Sequence, residues 1–180
     1  MLRHPPYRAR IFDNDLLNRR TALRGMSMVA ACTAAGPATA LQEDDLNSLE
    51  RLLQDLYQER ASSSLPGNSF CIMESGNFYV QALIPHQPKL IFLEAVSPKF
   101  IKDWDKVVTK QKKALLIDLG FNEPAGNSPN YWMEIGESWT RPPNHAARVA
   151  VSTMKNIFGI QDSSQLAMTI HVPKRAHALS

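Results

Sequence analysis

Residues 43 to 60, EDDLNSLERLLQDLYQER, repeat their apolar positions every three to four residues. Leu46, Leu49, Leu53, Leu56 and Tyr57 fall on one side, the signature of an amphipathic helix. Asp44 and Asp45 stand at its amino end, where the helix dipole favours negative charge. The polar stretch SSSLPGNS stops it. The period then falls to two. SFCIME (69–74), NFYVQALI (77–84) and KLIFLEA (89–95) read as strands, the first two separated by Ser75-Gly76 at hairpin spacing. HQP (86–88) turns the chain into the third. In the middle strand Phe78, Val80, Ala82 and Ile84 point one way, and Tyr79, Gln81 and Leu83 the other. In the third, Leu90, Phe92 and Glu94 oppose Ile91, Leu93 and Ala95. Neither strand has a cleanly polar side, although an antiparallel sheet normally wets one face. The second face is therefore expected to be covered, by other parts of the chain or by another protein.

Ser97-Pro98 reads as a helix start, cap followed by proline, with FIKDW forming one short turn. Thr109 is a second cap, leading into KQKKALLIDLG, where Lys112, Leu115 and Leu119 share a face and Gly120 supplies the stop. Lysines at 110, 112 and 113 crowd the first turn of this helix, against its dipole. The stretch LLIDLGFNEPAGNSPNYWMEIGE (115–137) then begins as a helix and ends as a strand. Phe121 folds back on the helix, NEPAGNSP turns, and YWMEI runs extended with Trp132 and Glu134 opposite Tyr131, Met133 and Ile135. On this reading the aromatic side chains seal a helix-to-strand corner. RPPNHAARVAVSTMKNIFGI (141–160) predicts a last helix with Ala147, Ala150, Val151, Met154, Ile157 and Phe158 as its stripe. QLAMTIHV (165–172) alternates as an edge strand does. The succession of elements predicts an α+β fold, a mainly antiparallel sheet flanked by helices.

The 180 residues suffice for one domain with a real core, and 44% hydrophobic against 21% charged residues are globular values. The net charge of +3 is uneven. Residues 1 to 40 hold six arginines against Asp13 and Asp15, leaving 14 basic and 15 acidic side chains for the rest. The basic isoelectric point thus belongs to the arm and is poor evidence for nucleic-acid binding. Within the arm, NRRTALRGMSMVAACTAAGPATA (18–40) is similar to an export signal, with paired Arg19 and Arg20 and an Ala38-Thr39-Ala40 ending, and VAAC would place Cys32 as a lipidated residue. Its apolar core is short and weak, which favours a flexible basic arm. Residues 1–41 are therefore set apart from a domain at 42–172, with 173–180 a loose basic tail. A cytoplasmic location follows, with export through 18–40 as the alternative. No apolar run is long enough to span a membrane.

Chemistry is sparse. The five histidines are scattered with no metal-binding spacing, so no metal and no cofactor is expected. Neither G-x-S-x-G, a Walker loop nor G-x-G-x-x-G occurs. Two cysteines cannot form a disulfide framework, and Cys71, inside an apolar run, is expected to be buried and inert. A small enzyme would have to assemble Cys71 or Glu94 with a distant histidine such as His86 or His145. Glu94 follows LIFL in an apolar strand, where a strand-end salt bridge is the expected role. Glutamates 123, 134 and 137 surround Phe121, Tyr131 and Trp132, the wrong charge for stacking nucleic-acid bases.

NFYVQALI followed by LIFLEAVS, then ALLIDLGFNEPAGNSPNYWMEI, then a helix ending IFGI before a last apolar strand, resembles the TY-Chap domain family, relatives of type III secretion chaperones and YbjN-like proteins. Phe121 stands where the family has the aromatic of its LGW piece, and Pro129-Asn130-Tyr131-Trp132 replaces PNW. The resemblance covers roughly residues 43 to 172. It implies a helix-flanked antiparallel sheet, often dimeric, that binds other polypeptides without catalytic residues. The expected function is a non-enzymatic, chaperone-like protein-binding module, with an enzyme of unassigned class or an exported protein as alternatives. The expected partner is a polypeptide or a second copy of the chain, met through Tyr79, Leu83, Ile91 and Leu93, since exposed apolar patches and sheet edges mark such sites.

Overall fold

The structure, a computed structural model, describes residues 43–126, 128–136 and 138–173. The expectations for the arm and the basic tail lie outside these residues. Helix α1 (Glu43–Ser62) precedes strands β1 (Ser69–Ser75), β2 (Phe78–Ile84) and β3 (Leu90–Ala95). Short helix α2 (Trp104–Val107), helix α3 (Lys110–Asp118), strand β4 (Tyr131–Gly136), helix α4 (Pro142–Ser152) and strand β5 (Ala167–His171) complete the order. The sheet runs β4-β3-β2-β1-β5 and every neighbouring pair is antiparallel. The fold is therefore the expected α+β, chaperone-like arrangement.

The β1–β2 turn lies one residue later than expected, at Gly76-Asn77, with Ser75 paired to Phe78. Gly76 takes φ 58°, a positive value at the first central residue that glycine adopts without a Cβ clash. Register then sorts the side chains. Cys71, Ala82, Leu93 and Met133 line up across four strands, as do Met73, Val80, Ala95 and Tyr131, and Ile91 pairs with Ile135. All are buried in one core with Leu49, Leu53 and Leu56 of α1 and Ala146, Ala147 and Ala150 of α4. The alanines let α4 approach closely.

The carboxyl end of α1 is tied to the β2–β3 turn. Tyr57 Oη donates to Pro88 O at 3.0 Å, His86 Nε2 to Ser63 O at 2.9 Å, and Gln87 N to Arg60 O at 3.3 Å. Arg60 is fully buried, its guanidinium donating to Leu65 O and to Glu59 Oε1. A buried charge is tolerated only when so paired.

Three local expectations change. Ser97 precedes a 3₁₀ turn at Pro98–Phe100 but does not cap it; its hydroxyl donates to Pro129 O and pins the strand to the turn before β4. In α3 the buried side chain is Leu116, not Leu115, which is 46% exposed; the face runs Lys112, Leu116, Leu119. The lysines of its first turn serve the preceding helix. Lys112 Nζ donates to Val107 O at 3.0 Å, at the negative carboxyl end of α2, and Lys113 Nζ meets Asp105 Oδ1 of its first turn at 2.6 Å. Thr109 caps as expected, accepting from Lys112 N, and Gly120 stops the helix at φ 99°. Finally, the last helix is α-helical only to Ser152; a π-helical turn, Thr153–Ile157, follows and places Met154 and Ile157 in the core.

The 121–132 corner is a small hairpin. Asn122 and Trp132 exchange both backbone hydrogen bonds, at 2.7 and 3.2 Å, and Ala125 and Ser128 do so at 3.0 Å. Phe121 and Tyr131 are buried, and Tyr131 stacks on Trp104 at 6.2 Å. Trp132 departs from the corner reading, because alternation along β4 turns it to the other side of the sheet.

Candidate functional site

The side of the sheet away from the core is built in two rows. One runs Glu134, Phe92, Leu83, Phe70 and His171 across all five strands; the next runs Trp132, Glu94, Gln81, Ile72 and Thr169. Phe70, Leu83, Phe92 and Trp132 stand outside the core cluster. Leu83, Gln81 and Glu94 form the floor, each under 10% exposed, while Phe70, Phe92 and Trp132 are partly exposed around them. Two ring pairs stiffen the rim. Phe92 stacks on Trp132 at 5.8 Å and 11°, and Phe70 on His171 at 4.7 Å and 12°. Diagonal neighbours on a sheet lie within reach of aromatic side chains, which accounts for the first pair.

Tyr79 closes one end of this side. It is 7% exposed, and its hydroxyl accepts from Asn130 Nδ2 at 2.9 Å, bridging β2 to the residue before β4. The four residues expected to form one binding face are thus divided. Alternation puts Tyr79 and Leu83 on the aromatic side, both buried, but Tyr79 joins the core cluster and Leu83 stands outside it. Ile91 and Leu93 are wholly buried beneath the helices, where alternation puts them, and a partner reaches neither without opening the core. The better markers, Phe92 and Trp132, were visible as the alternates of Ile91 and Leu93 and of Tyr131 and Met133.

Groups considered for catalysis do not meet. Cys71 lies on the core side and Glu94 on the aromatic side of the same sheet. Burial pushes the Cys71 thiol up to about 11, opposite to an activated thiolate. His86 is engaged with Ser63 O. His145 stacks on Trp139 at 3.7 Å, and burial, then Arg148, holds its ring below the ordinary histidine value. Glu94, next to last in β3, pairs across strands with Gln81 and Trp132. Among the described residues no three His, Cys, Asp or Glu side chains stand close enough to hold a metal, and no helix is long and apolar enough to cross a membrane. A polar groove between α1 and α4 includes Asn47, Gln54 and Glu50. Glu50 is held there by Asn144 Nδ2 at 2.8 Å and Arg148 Nε at 3.2 Å, which is a helix-to-helix tie.

Helices on one side of an antiparallel sheet and an aromatic, carboxylate-bearing surface on the other define an α+β, chaperone-like binding fold. The family model TY-Chap3, T3SS (YopN, CesT) and YbjN peptide-binding chaperone 3, matches residues 46–171. The chain belongs to that family of peptide-binding chaperones. No curated protein and no solved structure matches the chain.

Proposed function

We propose that this protein is a chaperone-like module that holds a partner polypeptide against the side of its sheet opposite the helices. The observation that carries the reading is the rim of Phe70, Phe92 and Trp132 around Leu83, apolar side chains that contribute nothing to the core cluster. Rigid aromatic rings supply contact area at low entropic cost, and so anchor interfaces. The test is a double variant, Phe92→Ala with Trp132→Ala, compared with the parent on an array of unrelated 12-residue peptides. Retained melting temperature with peptide capture reduced at least about tenfold, the scale of two lost anchors, supports the reading. Unchanged capture overturns it.

A second reading concerns self-association. β5 lies at the sheet edge, and Met168 and Ile170 are 51% and 48% exposed on the core side, beyond the helices. An apolar edge strand without lysine or proline invites another strand. Pairing of β5 with a second copy would give a homodimer, and Ile170→Lys should then return the sedimentation coefficient to that of a monomer.

A further inference from the structure

Among the described residues, the strand positions of the proposed docking side carry formal charge of one sign. They include Glu74, Glu94 and Glu134 and no lysine or arginine. Two of these carboxylates alternate with the two stacked rings. Glu134 pairs across strands with Phe92, and Trp132 with Glu94, so the four side chains form a square with rings on one diagonal and carboxylates on the other. Trp132 and Glu134 stand two residues apart on one strand, about 7 Å, close enough for one flat cation to lie over the ring and reach the carboxylate. Glu94 is at the floor, 9% exposed, and Glu134 is exposed at the rim.

Such a square suits one chemistry. A guanidinium stacks on an indole or phenyl face through the ring quadrupole, and its planar fork of donors matches a carboxylate. The surrounding Leu83, Phe70 and Ile72 suit apolar side chains spaced along an extended backbone. A phosphate backbone or an acidic segment would meet three carboxylates and be repelled. We propose that the polypeptide bound on this side is an extended segment carrying an arginine flanked by apolar residues, with the arginine seated on the Trp132 ring and the Glu134 carboxylate. This rests on the function proposed above and adds the charge and shape of the client.

The test uses the full chain and two fluorescent 12-residue peptides of alternating valine and threonine. One has a central arginine, and its twin has citrulline, which keeps the planar group and loses the charge. Anisotropy titration should show the arginine peptide binding about tenfold tighter at low salt, with the gap shrinking as salt rises. Glu134→Gln should narrow the gap several-fold while leaving citrulline binding unchanged. Equal affinity for the twins overturns the arginine seat and leaves peptide binding standing. Failure of both twins to bind the parent overturns the seat; the peptide array then decides the broader function separately. Concentration-dependent self-association that is lost in Trp132→Ala puts a second copy on this side and also overturns the proposal.

Discussion

The two sides of the sheet use the same residue types for different ends. On one, Ile91, Leu93 and Ile135 are wholly buried under α1 and α4 and join a single core. On the other, Phe70, Phe92 and Trp132 remain partly exposed, with Phe92 stacked on Trp132 and Phe70 on His171. Strand periodicity puts successive residues on opposite sides, so Phe92 is flanked by Ile91 and Leu93 and has a different fate. The difference teaches that apolar content alone does not separate stability from recognition; the layer that covers a residue does.

The sharpest way to break the comparison is to remove a core contact. Leu93→Ala deletes a side chain with no exposure, and truncations of this kind cost about 2–5 kcal/mol. Chemical denaturation should show an unfolding free energy lowered by that amount, seen as a lower midpoint with an unchanged slope. A loss below about 1 kcal/mol would mean that the helices do not pack against β3 as described.

A second consequence of the covered side concerns alkaline pH. Burial raises the Cys71 thiol from 9.0 to about 11. The folded chain therefore keeps its proton where the unfolded chain would lose it. Stability from this group is complete below pH 9 and declines as pH rises through 11, by up to about 3 kcal/mol at 1.36 kcal/mol per unit. Tyr131, raised chiefly by burial, adds a slope of the same sign, so the difference between the parent and Cys71→Ala isolates the thiol. The parent should lose more stability than the variant between pH 8.5 and 11, and parallel profiles would place Cys71 in contact with water.

Much of this division was legible before any coordinates. Alternation in 77–84 and 89–95 assigns each side chain to its side, and strands with no polar alternate mark the second face as one expected to be covered. What alternation could not show is which side the helices take. That is set by α1 and α4 packing together, a contact between residues about 100 positions apart, and it is why Ile91 and Leu93 were grouped with Tyr79 and Leu83. The buried face of helix α3 departs from its periodicity for a related reason. Leu115, Leu116 and Ile117 are three consecutive apolar residues, and period alone does not choose among them; the turn at Gly120 that returns the chain to β4 selects Leu116. Ser97 looked like a cap because a proline follows, but its hydroxyl finds a stronger claim at Pro129 O, 32 residues away. The charged first turn of α3 made sense only once Val107 O and Asp105 were beside it.

On the aromatic side the expected stability effects are smaller. Trp132→Ala removes one stacked pair, worth about 0.5–1.5 kcal/mol beyond area, from a position that is already partly solvated. Thermal unfolding should move less than for Leu93→Ala. A loss as large as the core variant's would make Trp132 a core residue and erase the distinction between the sides.

The smallest effect is expected at Glu134, and it is the most discriminating. Its side chain is exposed and stands opposite Phe92 in the sheet. Exposed substitutions away from special features usually change stability by no more than about 0.5 kcal/mol. Glu134→Gln keeps the shape and removes the charge, so its unfolding free energy should be indistinguishable from the parent's in a denaturant titration. If the residue were structural, the cost would appear there. A residue whose charge matters only when a cation arrives should be silent in the free protein, which is the behaviour that separates a recognition surface from a core. A stability change above about 1 kcal/mol would place Glu134 in the fold's own architecture, on the same footing as the paired Arg60.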